Sequence, residues 1–60
     1  MDFTVSITDA RKLAGITAAR NAYNAANAMV DGFIPLGTDQ EYVQFVMDGA
    51  SESYADQYKV

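Results

Sequence analysis

Four carboxylates, Glu41, Asp48, Glu52 and Asp56, are the best candidates for reactive or ligand-binding work in this sequence. At about 100° of rotation per residue they share one side of a helix. Paired carboxylates serve as general acid and base only inside a pocket that separates their pKa values. Without one, they either keep an outer face solvated or form an electronegative strip that docks on a basic protein. Both readings stay open from the sequence. A divalent cation is a weaker fit, because the glycine turn of a calcium loop is missing.

Most other chemistry is excluded by inventory. The chain has no cysteine and no histidine, which removes disulfides, zinc sites and thiol or imidazole catalysis. Ser51 and Ser53 have no histidine or nearby lysine to activate them, and no glycine-rich phosphate loop is present. The expectation is a protein that is not an enzyme and uses no cofactor and no metal. The residues expected to contact a partner are then the strip, Glu41, Asp48, Glu52 and Asp56, together with apolar side chains that a small helical unit would leave exposed. Phe45 falls on the carboxylate side of its helix, so either the N-terminal segment or the apolar loop covers it, or a partner does. Phe33, Ile34 and Leu36 make the connecting loop unusually apolar. Tyr58, near the chain end, can bury a ring while keeping its hydroxyl wet.

The elements that carry these residues are marked by two similar starts. Thr8-Asp9 and Thr38-Asp39 each combine a hydroxyl that can accept an unpaired first-turn N–H with an acid beside the positive helix end. Glu41 completes Thr-x-x-Glu, a capping box, in which the glutamate reaches back to the N–H of the cap. The pattern predicts a mostly α domain spanning 1–60: a strand over about 3–7, a helix over about 9–30, an apolar loop over 31–37 and a helix over about 39–58. The helices form an antiparallel hairpin, completed by self-association.

Phe3, Val5 and Ile7 alternate with Thr4 and Ser6, the period of a strand with one buried face. Such a strand needs a partner edge, which Phe33–Leu36 or another chain can supply. Leu13, Ile16, Ala19, Tyr23, Ala26 and Val30 give the first helix one apolar stripe, and Ala14, Ala18, Ala22 and Ala25 leave much of its other surface smooth. Gly32 is placed to end that helix in a left-handed conformation. Val43, Met47, Ala50, Tyr54 and Tyr58, with Val46 alongside, form the stripe of the second helix.

A chain of 60 residues buries only about 60% of its unfolded surface, and its core rarely contributes more than ~3–5 kcal/mol. With disulfides and metals excluded, a second copy or another protein is the natural reinforcement, and a homo-oligomer is expected. The net charge of −4 is uneven: residues 1–30 carry +1 and residues 31–60 carry −5. That balance disfavours direct binding to nucleic-acid phosphates. No basic-then-apolar leader opens the sequence, and Phe33-Ile34-Pro35-Leu36 is far too short to span a bilayer. The expectation is a protein that is neither secreted by a signal peptide nor bound in a membrane.

The runs Phe3–Ile7, Thr8-Asp9, Leu13-Ala14-Gly15-Ile16-Thr17-Ala18-Ala19-Arg20 and Asn21-Ala22-Tyr23-Asn24 carry a further signal. So do Thr38-Asp39-Gln40-Glu41-Tyr42-Val43-Gln44-Phe45-Val46 and Ser53-Tyr54-Ala55. Together they resemble short uncharacterised proteins encoded by tailed bacteriophages and prophages. The resemblance spans most of the chain outside Ala28 to Gly37. It implies a phage gene product acting in the bacterial host cytoplasm or in the virion, and it carries over no site residue. Two functions follow as expectations. One is an accessory structural or assembly component of the particle. The alternative is a small acidic inhibitor of a host or defence protein, acting through its electronegative second helix.

Overall fold

The computed structural model describes all of residues 1–60 and contains two helices, α1 (Ala10–Asn27) and α2 (Asp39–Tyr58). Alanine-rich composition drives α1, and its start is fixed by Asp9, whose carboxylate accepts the Lys12 N–H at 3.0 Å. The cap is therefore Asp9 and not Thr8. Both residues are good caps, and a spacing argument cannot choose between neighbours. At α2 the cap is Thr38, as the sequence indicates, with its hydroxyl accepting the Glu41 N–H at 3.1 Å. The returning arm of the capping box lands one residue early. Glu41 Oε2 accepts the N–H of Gly37 at 3.1 Å, so the box holds the loop as well as the helix end.

α1 stops three residues short of the expected Val30. Its last turn tightens at Ala28, whose N–H donates to the Ala25 carbonyl rather than continuing the helix. Two turns then follow, closed by Val30 N–H on the Asn27 carbonyl and by Phe33 N–H on the Val30 carbonyl. Gly32, at φ 79°, serves the second of these turns and is not the helix cap. The connection is thus 28–38, wider than the expected loop.

The helices form a hairpin. Asn24 meets Leu36, Arg20 and Thr17 meet Asp39, and Ile16 shares a cleft with Val43, so α2 runs back along α1. No strand forms. Residues 1–8 make no backbone–backbone hydrogen bond, and the 33–36 segment is occupied by α1 instead. The expected pairing within the chain fails because Asn24 takes both backbone groups of Leu36. The alternation nonetheless survives as a one-faced pattern: Phe3, Val5 and Ile7 line the same groove, and Thr4 and Ser6 do not.

No residue is fully withdrawn from solvent. The accessible surface is 5190 Å², about 1,400 Å² more than a compact monomer of 6.5 kDa presents. The radius of gyration is 13.5 Å, against about 10 Å for a compact 60-residue domain. The molecule measures 35 × 33 × 18 Å, broad and thin.

Candidate functional site

One face of α1 presents polar residues at helical spacing, Thr17, Arg20 and Asn24, beside its apolar residues Ile16, Ala19 and Tyr23. The polar side grips the start of α2. Asn24 acts as a substitute strand partner for Leu36. Its Nδ2 donates to the Leu36 carbonyl at 3.0 Å, and its Oδ1 accepts the Leu36 N–H at 3.0 Å. Arg20 Nη1 adds a second donor to the same carbonyl at 3.2 Å. Both backbone groups of Leu36, which would otherwise be orphaned, are satisfied.

Arg20 also pairs with Asp39, Nε to Oδ1 at 2.9 Å. Both atoms are screened from water, and the N–H is not aimed well enough for a hydrogen bond, so the contact is an ion pair held by proximity. The Thr17 hydroxyl lies between the other Asp39 oxygen and its own helix's Leu13 carbonyl. Asp39 therefore does two things at once: it sits beside the positive end of α2 and ties that end to α1. These contacts form a latch at the loop end of the hairpin.

Beside the latch, three rings cluster on Tyr23. Its centroid lies 4.9 Å from Phe45, 5.7 Å from Phe33 in an edge-on arrangement and 6.2 Å from Tyr42. Tyr42 and Phe45 complete the group at 6.4 Å. Phe45 is thus partly covered by α1, which neither of the expected covers had named, and it remains 46% exposed. Phe33 and Leu36 fold onto the helices as expected of the loop, whereas Ile34 turns outward and is 81% exposed. Tyr58 is 69% exposed.

The acidic strip does not come together as one site. Glu41 is spent on the Gly37 N–H, and Asp48 Oδ1 accepts from Gln44 Nε2 at 2.8 Å. Glu52 and Asp56 are exposed and hold no side-chain partner among the hydrogen bonds or ion pairs. No group of three or more acidic side chains is arranged to hold a metal ion.

The largest feature of the surface starts at the latch, at Asp39 and Gln40, and runs along both helices away from it. A groove of about 710 Å³ opens between residues 1–7 and the two helices, with Leu13, Ile16, Val43 and Met47 on its helical wall. It continues into a wholly apolar cleft of about 260 Å³ under Val5 and Ile7. Phe3, on the groove's outer wall, is 87% exposed. Of the residues expected to contact a partner, Asp48 lines the groove and Leu36 is gripped by the latch, whereas Thr17, Arg20, Asn24, Asp39 and the apolar groove wall carried no such expectation. The latch had a signal, the polar spacing of Thr17, Arg20 and Asn24 on a helix that also carries the apolar stripe. The groove had one too, in the alternation of the arm. Neither helix is long and apolar enough to cross a membrane.

Comparison with models of known protein families, with curated proteins and with solved structures gave no match.

Proposed function

We propose that this chain is a protein-interaction module without catalytic activity, an accessory structural or assembly component of a phage particle that self-associates. The observation that carries the interaction reading is the missing core. A chain with no buried residue and about 1,400 Å² of surplus surface needs a second surface to become stable. Its apolar groove and its exposed Phe3, Ile34 and Tyr58 supply the area. The particle setting is supported by the resemblance of the runs 3–9, 13–24, 38–46 and 53–55 to short phage proteins. Mass spectrometry of purified particles beside the producing lysate tests it. The chain at fixed stoichiometry in particles is the expected result, and its confinement to the lysate overturns the virion assignment.

A second reading, an acidic inhibitor of a host or defence protein, is favoured by Glu52 and Asp56, which stand exposed without a cationic partner; the chain's ion pair joins Arg20 and Asp39. The two readings separate by salt. Contacts through apolar surface are insensitive to it, and an electrostatic strip loses affinity steeply as it rises. Charge reversal at Asp48, Glu52 and Asp56 abolishes binding in the second reading only.

A further inference from the structure

The arm is the longest stretch of the chain without a backbone–backbone hydrogen bond. Residues 1–8 form neither helix nor strand and make no backbone–backbone hydrogen bond, while Phe3, Val5 and Ile7, spaced at the period of an extended chain, all line the groove over the hairpin. An extended segment with one apolar face and a free edge lacks two things: a strand on that edge, and more apolar cover for the groove. Thr4 and Ser6, on the opposite side, suit water.

We propose that a second copy of this chain covers the groove, the two arms pairing antiparallel about Val5. This names the surface used by the self-association proposed above and rests on that reading. In this register Val5 faces Val5 of the partner subunit, and Phe3 faces Ile7 of the partner subunit. Directly opposed residues of an antiparallel pair share a face, so the apolar side chains of both arms lie on the side toward the helices. An isolated two-stranded ribbon is marginal in water, but one lying on helices is not.

Area argues for a second copy as the occupant. A standard interface takes about 800 Å² from each partner, and the chain carries a surplus of about 1,400 Å². A two-fold contact also uses the same arm twice, so each unpaired edge meets its own complement. Leu13, on the groove wall beyond the cleft that Val5 and Ile7 cover and 41% exposed, receives Phe3 of the partner subunit.

The chain's lack of cysteine makes the register directly readable. Val5 is half exposed, so Val5→Cys leaves the hairpin intact, and opposed residues of such a pair lie close enough for a disulfide. Wild-type chain is first weighed by sedimentation equilibrium; Val5→Cys and Ser53→Cys, the latter on the exposed far part of α2, are then oxidised at the same concentration. The expected result is a wild-type dimer, with Val5→Cys converting to a covalent dimer at least tenfold faster than Ser53→Cys. A wild-type dimer with equal rates for the two variants overturns the arm pairing and leaves self-association standing. A wild-type chain that stays monomeric at millimolar concentration, whether or not it binds some other protein, overturns both.

Discussion

The loop end of the hairpin and its arm end are held by different physics. At the loop end, Thr17, Arg20 and Asn24 grip Leu36 and Asp39 through contacts with fixed directions and distances. At the arm end, Val5 and Ile7 rest over a cleft lined by Ile16, Val43 and Met47 through contacts that are apolar, undirected and incomplete. Directed polar contacts define a shape but return only about 0.5–1.5 kcal/mol each. Apolar burial is what stabilises, and it needs area that this end lacks. The chain therefore has a specified geometry and a deficit of stability. That combination suits a part made to be completed by another surface.

Tyr23→Ala is the change expected to break the loop end most severely. It removes the ring that Phe33, Tyr42 and Phe45 share, at a cost of about 2–3 kcal/mol for a half-buried aromatic. Against a total of ~3–5 kcal/mol that is enough to abolish a cooperative melt followed by circular dichroism. Tyr54→Ala, on the open part of α2, leaves that melt in place. Equal losses from the two would erase the contrast between the closed and the open end.

Asn24→Ala comes next, at about 1–2 kcal/mol, because both backbone groups of Leu36 lose a partner. The expected signature is local as well: the Leu36 amide exchanges with solvent much faster than amides in mid-α2. Asp39→Asn costs about 1 kcal/mol or less, since both members of its ion pair are partly exposed. Its cost falls in 1 M salt, whereas that of Asn24→Ala does not.

Gly15→Ala and Gly49→Ala sharpen the comparison from the other direction. An added Cβ meets nothing within 4 Å at either position, so each change is expected to raise stability by about 0.5–1 kcal/mol. If Gly15→Ala instead dissociates the proposed dimer with helix content intact, the contact lies on the small-residue face of α1 and not on the arm.

Local rules made the helices legible and tertiary rules hid the rest. The bounds of α2 follow from Thr38, Glu41 and the stripe that begins at Val43, and the structure has α2 at Asp39–Tyr58. α1 was harder at both ends. Two adjacent caps competed at its start, and its apolar stripe continued on paper past Asn27 into residues the structure uses for turns. The strand over 3–7 was read from a pattern that is present, as the side chains on the groove wall show; what the pattern cannot supply is a partner. Phe45 looked out of place because it falls on the carboxylate side of α2, away from the stripe of Val43, Met47, Ala50, Tyr54 and Tyr58. In the structure Tyr23 lies 4.9 Å from Phe45 and covers it only in part, leaving it 46% exposed. Among the residues singled out for contact, the structure gives Glu41 a capping role and Leu36 an anchoring one. Ile34, Glu52, Asp56 and Tyr58 stay exposed.

The central claim is that the hairpin is completed by a second copy, and the most direct measurement of it is the melting temperature as a function of chain concentration. Linkage adds about 2.7 kcal/mol for a hundredfold rise in concentration, which for a dimer of this size moves the midpoint by on the order of 10 °C. The account predicts a midpoint that climbs by that amount between 5 and 500 μM (about a hundredfold range). A cooperative transition whose midpoint stays fixed over the same range would contradict it, because a chain that melts as one unit at any dilution has no need of a partner.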